Sequence, residues 1–522
     1  NYYNEDDELK SSVLLDNKQQ NTGKSVNIIS GIDCQLNNRT SIGAMININS
    51  GKGDGDFNYN STTLSPVHAI TGQGYGNTLS DGKRNNLTLN LNMLHKFQKK
   101  GYELSAEANH MNYRIRLSQD LLNFEKDLSG SSYPVSAFAY VVPSDISIYT
   151  AKSDYVQPLW KGTFEAGFKT SFVTNDNNSD FFDNKTPTPE WVESRSNHFI
   201  YKENINSGYL NLLQRINRFS FQAGFRAEQT SISGHQLGNS VVADSSFKRS
   251  YWNWFPAATI GYKLDSNGTR QISFLYTRRI NRPNYQSLNP FVFYRDNFSY
   301  SGGNPMLNPQ IQTRYELKYQ HGQRWWAGLS YNNFTSVILP VTTVQDSLYI
   351  TRPNNYARGY MVLLNIGVSI SPVKWWTINS TVRLSRIGLR GSVDNVKLSP
   401  NTNVLRWEFN SYFNISKKFS AELNSYYASA DLNGQNLTGG MYRINTGFQY
   451  KLSEKGSIRL SVDDIFYSWK YNYRSVGLTQ ADYTQINTTD TRRIGISFNY
   501  RFGKKAAKAR KSRDEEEAGR IQ

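Results

Sequence analysis

Apolar and polar residues alternate with period two along most of this chain. Phe219, Phe221, Ala223, Phe225 and Ala227 fall on one face, with Ser220, Gln222, Gly224 and Arg226 on the other. The same alternation runs through Leu87–Met93, Phe164–Phe172, Ile458–Val462 and Ile494–Phe502. Helical periodicity is absent over comparable lengths. Many of the predicted strands reach roughly 12–16 residues, where strands of soluble sheets have a mode of about 5–6. A tilted strand needs about 9–11 residues to cross a bilayer. A polar face of Asn, Ser, Gln, Arg and Glu suits a wet lumen, and the apolar face suits lipid.

The connections sharpen this. Short turns are expected at 37–39, 98–100, 158–161, 215–217, 265–268, 321–323, 372–374, 416–418 and 453–455, and long loops at 51–83, 116–143, 175–197 and 282–309. Short turns on one side and long loops on the other characterise an outer-membrane barrel, with the turns periplasmic and the loops extracellular. The fold class is therefore all-β, a transmembrane antiparallel β-barrel. Nine hairpins, a last strand near 489–503 and a leading segment near 8–19 give about 20 strands, close to the 22 of plugged outer-membrane transporters. On this count two strands would precede the chain, and residues 1–503 form the barrel. The stretch 348–370 holds Arg352-Pro353-Asn354-Asn355 and reads as one long strand with a bulge, because proline cannot donate to a ladder and a second strand would break the up-down parity. Trp160, Trp325, Trp326, Trp375, Trp376 and Phe419 lie beside short turns, while Phe57, Tyr59, Phe181, Phe182, Tyr473 and Tyr483 lie nearer the long loops. Both groups are expected as interfacial girdles.

Composition agrees with a two-faced wall. The 522 residues are 38% hydrophobic and 14% aromatic, too aromatic for a disordered chain. A single cysteine, Cys34, excludes an intramolecular disulfide; it shares parity with Ile32 and Leu36 and is expected to face lipid. The net charge of +17 is scattered with no long basic stripe, so a nucleic-acid partner is not expected. The chain starts Asn1-Tyr2-Tyr3, which reads as a processed or truncated product.

Catalytic and metal motifs are missing. The six histidines (68, 95, 110, 198, 235 and 321) show no metal spacing on a helix. Asp54-Gly55-Asp56 lacks the remaining ligands of a calcium loop. Gly72, Gly74 and Gly76 open no helix and read as a loop. No Gly-x-Ser-x-Gly elbow is visible, so no enzyme, cofactor or metal is expected.

Several ordered motifs resemble a known family. They are Asp154-Tyr155 with Glu165-Ala166-Gly167-Phe168-Lys169; Glu203-Asn204 with Gly208-Tyr209; Ala223-Gly224-Phe225-Arg226-Ala227-Glu228; and Tyr276-Thr277-Arg278-Arg279-Ile280-Asn281-Arg282-Pro283 followed by Leu288-Asn289-Pro290-Phe291 and Gly303-Asn304-Pro305-Met306-Leu307-Asn308-Pro309. Together these are similar to the TonB-dependent-receptor-like outer-membrane β-barrel family of Bacteroidota. The resemblance spans about residues 20–503. It implies a plug domain in the lumen, energy from TonB, import of a scarce ligand and residence in the bacterial outer membrane. Alternatives are a structural or partner-binding barrel in a larger complex, and a passive porin. Expected partners are outer-membrane lipid or lipopolysaccharide, the barrel's own plug, TonB, and other outer-membrane or surface lipoprotein subunits.

Loop 282–309 is the best ligand-binding candidate, with Tyr285, Phe291, Phe293, Tyr294, Arg295 and Tyr300 offering rigid aromatic area and a charged anchor. Its Pro- and Gly-rich pieces could equally brace the loop. Glu165, Lys169, Arg226, Glu228 and Arg278 are expected as lumen charges facing one another or a plug. Met361–Leu364 is apolar on both faces and is expected to touch something apolar inside or to lie near a bulge. The tail 504–522 carries a basic block and then an acidic one, and is expected in the periplasm.

Overall fold

A computed structural model describes residues 1–4, 6–127, 129–294, 296, 298–345, 348–393, 396–398, 401–502 and 516–521. Among these residues nineteen long strands form one antiparallel wall, each hydrogen-bonded to the next in chain order. The first six are β1 (Leu9–Asn37), β2 (Thr40–Leu64), β3 (Ile70–Lys96), β4 (Glu103–Lys126), β5 (Ser132–Leu159) and β6 (Gly162–Asp183). Then come β7 (Asn197–Ile216), β8 (Phe219–Leu237), β9 (Ser245–Lys263), β10 (Arg270–Asn281), β11 (Gln310–His321), β12 (Trp325–Gln345) and β13 (Leu348–Val373). The last are β14 (Trp376–Val393), β15 (Asn401–Phe413), β16 (Phe419–Ala428), β17 (Met441–Lys451), β18 (Gly456–Asp463) and β19 (Arg493–Tyr500). No helix among the described residues is long and apolar enough to cross a membrane.

All nine expected turns fall between consecutive strands. The leading segment 8–19 is not a separate strand: it is the upper half of β1, which runs for 29 residues. That merger accounts for nineteen strands where about 20 were expected. β13 is a single strand, as expected, but Arg352–Asn355 pair with β12 in an unbroken register and form no bulge there. Ser336 of β12 adopts φ +54°, and the register is the same on either side of it, Thr335↔Arg358 and Val337↔Tyr356. The Asn355 side-chain amide donates to the Ser336 carbonyl at 3.1 Å.

Three expected loops are largely strand. β2 and β3 pair up to Leu64↔Ile70, β4 and β5 up to Lys126↔Ser132, and β5 and β6 up to Phe138↔Asp183. Polar residues and glycines there break the lipid-facing pattern, but pairing needs only backbone. The wall therefore rises far above the bilayer on this side. Gly72, Gly74 and Gly76 lie in β3, and a Cβ at Gly76 would meet the Tyr59 ring and Asn123. The glycine thus makes room for the buried 2.7 Å bond from the Tyr59 hydroxyl to Asn123.

Exposure assigns the two faces. Outward positions in the lower wall are apolar, for example Phe225, Leu210, Phe168, Leu91, Ile46, Ile32 and Phe498; Cys34 is outward and exposed with them. The upper inward face packs as a core of Met111, Tyr140, Ile148, Val173, Phe199, Tyr201 and Ile232. Phe57, Tyr59 and Phe181 are buried rather than forming an upper girdle. Trp252 and Trp254, stacked 5.7 Å apart on the outward face of β9, are better girdle residues. Near the turns Trp160, Trp325 and Trp375 are outward and exposed as expected. Met361 and Leu363, the inward pair of the doubly apolar stretch, are half-buried, while Val362 is outward.

Phe225 is 46% exposed in the apolar band. Phe225→Arg should cost about 2–4 kcal/mol of folding free energy in bilayers. Reversible unfolding into phospholipid vesicles reads the cost, and an unchanged midpoint would refute the lipid-facing assignment.

Candidate functional site

Loop 282–309 folds inward and fills the upper lumen. After β10, Pro283 ends the ladder and Gln286–Leu288 makes one 3-10 turn. A small hairpin follows, Val292–Tyr294 against Ser299–Gly302, and Ser299–Ser301 runs parallel to Tyr349–Thr351 of β13. Leu288, Phe291 and Leu307 join the wall's inner core. The segment 303–309 works as a strut. The Arg249 guanidinium donates to the carbonyls of Pro305, Met306 and Leu307 and to Asn308 Oδ1 at 3.2–3.4 Å. Asn355 bonds both the amide and the carbonyl of Asn308, at 2.8 and 2.9 Å.

This divides the expected ligand-binding residues. Phe291 is core and braces the loop. Tyr294 packs against Phe138 at 5.2 Å and Phe181 at 6.1 Å, and Tyr300 packs against Tyr294 at 5.6 Å. Arg295 lies outside the described residues. Only Tyr285 and Phe293 reach a cavity, of about 560 Å³, between the loop and the wall. Its other polar lining residues include Asn49, Arg84, Ser144, Asn175 and Asn177 on the wall and Gln286 and Asn289 on the loop. The Tyr285 hydroxyl, on a residue 1% exposed, has no hydrogen-bond partner among the described residues, and neither has the Asn177 amide nitrogen. Buried donors left unpaired are uncommon in folded proteins. Burial pushes the Tyr285 phenol well above its ordinary pKa, so it is a neutral donor. The wall asparagines escaped sequence reasoning, although their parity with inward Val173 would have placed them on the lumen face.

The lumen charges form a network beneath this cavity. Glu165, Lys169, Arg226 and Glu228 lie on the inward parity of their strands. Glu165 accepts from Asn211 at 3.1 Å. Arg226 stands 3.4 Å from Glu228, which pairs with Arg282. Arg278 is a correction: it shares a face with outward Phe274, and its neighbour Arg279 is inward. Two consecutive arginines occupy opposite faces, and the parity of Phe274 and Tyr276 decides between them.

The tail is a second correction. The residues 503–515, including most of both charged blocks, lie outside the described residues. Glu516–Ile521 are inside the wall rather than on the turn side. Arg282 reaches Glu516 at 2.8 Å, Lys169 reaches Glu517 at 2.8 Å, and Arg520 reaches Glu203 at 2.5 Å. The Arg520 guanidinium also lies 4.2 Å over the Tyr285 ring, and Ile521 lines the cavity. Opposite charges in a low-dielectric lumen draw the segment in. Burial pushes the Glu517 carboxyl up, but Lys169 and Arg282 outweigh it and hold its pKa below the ordinary 4.5. A depressed carboxylate pKa adds stability above the free-chain pKa that is lost as pH falls through the bound value. A spin label at Gly519→Cys, in a Cys34→Ser background, should be immobile at pH 7 and gain mobility once the pH falls below the carboxylate range. Mobility independent of pH would contradict this pairing.

No group of three or more potential metal ligands occurs among the described residues. The sequence profile of the outer membrane protein beta-barrel family matches residues 95–500. The chain belongs to this family. It is an integral protein of the outer membrane, with the apolar band as its lipid face. No curated protein matches in sequence. Among solved structures the chain is similar to copper transporter OprC (12% identity, TM-score 0.59, covering 94% of this chain and 81% of that one). It is also similar to the siderophore receptor PiuA from Acinetobacter baumannii (9%, 0.58, 96% and 82%) and to the ferric yersiniabactin uptake receptor FyuA from Yersinia pestis (9%, 0.58, 95% and 81%). At these identities the likeness is one of fold.

Proposed function

We propose that the chain is the barrel of a TonB-dependent outer-membrane receptor that imports a scarce ligand, with a plug completing the lumen. The observation that carries this reading is the inward loop 282–309, which roofs a largely apolar cavity of about 560 Å³ bordered by a few polar residues, Asn49, Asn175, Asn177, Tyr285 and Asn289. A general pore gains nothing from a folded obstruction in its lumen; a receptor needs a closed chamber with convergent polar groups. The fold shared with copper and siderophore receptors supports it, and makes copper and iron–siderophore complexes the first probes. Cells lacking the protein should accumulate less of a limiting radiolabelled probe, and Phe293→Ala should reproduce the loss at an unchanged outer-membrane level. Uptake by the wild type should also stop when the TonB gene is deleted. Accumulation that persists without TonB would contradict energised import.

A second reading, a partner-binding subunit, has one specific support. Leu79, Leu122 and Val141 remain exposed on the outward wall above the lipid band. Stoichiometric co-purification of a partner, lost on Leu79→Lys/Leu122→Lys, would favour it, above all if no nutrient uptake depends on the protein.

A further inference from the structure

Alternate outward positions on β13 and β14 pass abruptly from apolar to cationic. Rising from the turn, β13 presents Ile366, Leu364 and Val362 to lipid and β14 presents Val382 and Leu384. The next outward residue of β14 is Arg386, directly opposite Val362; above it Arg390 stands directly opposite Arg358. All three arginines are exposed. Arg386 lies ten positions beyond Trp376 at the turn. That is roughly 33 Å along the strand, or about 25 Å along the membrane normal at a tilt near 40°. It places the first arginine at the upper edge of the hydrocarbon band, at outer-leaflet headgroup level.

Tyr360 lies between them. It is opposite Gly388, where a Cβ would collide with the ring, and its hydroxyl donates to Asn401 Oδ1 at 3.2 Å. The ring thus lies across β14 between Arg386 and Arg390 and keeps the side chains apart. Like charges directly opposite on neighbouring strands are unfavourable without a counter-charge. No ion pair to any of the three is found among the described residues, whereas Lys52 and Arg116, also outward, are neutralised within the wall: Lys52 meets Asp81 at 2.8 Å and Arg116 meets Asp145 at 2.9 Å.

We propose that Arg358, Arg386 and Arg390 bind a phosphate of an outer-leaflet lipid. Planar guanidinium forks match phosphate oxygens, and the apolar strip immediately below takes the acyl chains. The partner is therefore a phosphorylated lipid. A soluble anion would use only the upper half of this surface.

The test is native mass spectrometry of the whole chain in detergent with bisphosphorylated lipid A or its dephosphorylated form. The wild type should retain the phosphorylated lipid about tenfold better than Arg358→Gln/Arg386→Gln/Arg390→Gln, and the dephosphorylated lipid no better than the variant does. Heat-modifiable gel migration checks that the variant is folded. Equal retention by wild type and a folded variant would overturn the proposal. So would equal retention of the two lipids by the wild type, a comparison that stands even if the variant fails to fold. Complete displacement by excess inorganic phosphate would reassign the site to a soluble anion and overturn the lipid.

Discussion

Glu228→Ala should destabilise the folded protein by about 3–5 kcal/mol, because it strands a buried guanidinium. Arg282 is 2% exposed at its side chain and Glu228 3%. Arg282 is also where the wall becomes the loop, so its charge is held at the hinge of the inward fold. Its second partner, Glu516, is 46% exposed and compensates weakly. The same reasoning predicts that Glu228→Leu/Arg282→Met is much milder than Glu228→Ala alone, since removing both charges removes the desolvation penalty. Urea unfolding in lipid vesicles separates the two cases. A single variant no worse than the double would show that the pair is solvated and the lumen open to bulk water.

Gly303→Val should release the loop. A Cβ at 303 would be driven into the backbone carbonyls of Asn289 and Ser287, and backbone cannot step aside as a flexible side chain can. The amide of the next residue, Asn304, donates to that same Ser287 carbonyl at 2.7 Å, so the close approach is part of the loop's own bonding. Overpacking of this kind costs about 1–3 kcal/mol, occasionally more. The loss falls on the loop, because the ladders of β10 and β11 end before it. Limited proteolysis should therefore cut within 282–309 at least tenfold faster while the barrel keeps its heat-modifiable migration. An unchanged cleavage rate would mean that the strut is not what holds the loop in place.

Much of this fold was legible in the sequence, for a physical reason. Lipid imposes a strict rule on every second residue, so Phe219–Ala227 and Ile494–Phe502 announce both strand and face. The rule lapses above the membrane. Stretches such as 51–83 and 116–143 therefore read as loops, although their backbones continue the ladder. Inside the barrel the sequence was less informative. Tyr285 and Phe291 look alike as aromatic loop residues and both are buried in the same core, yet only Tyr285 also borders the cavity, a difference set by distant parts of the wall. Arg278 and Arg279 are adjacent and differ only by parity. The tail's basic and acidic blocks suggested a solvated segment, because nothing local reveals that Lys169, Glu203 and Arg282 supply complementary charge far away in the chain.

In the proposed orientation the short turns of the wall face the periplasm and its tall side, with the inward loop, faces outside. Labelling of intact cells by a membrane-impermeant maleimide tests it most directly, using single cysteines in a Cys34→Ser background. Val67, 83% exposed between β2 and β3, and Trp160, 81% exposed at the turn between β5 and β6, are the positions to compare. Val67→Cys should label in intact cells and Trp160→Cys only after the outer membrane is permeabilised; the reverse pattern, or equal labelling of both in intact cells, would contradict the account.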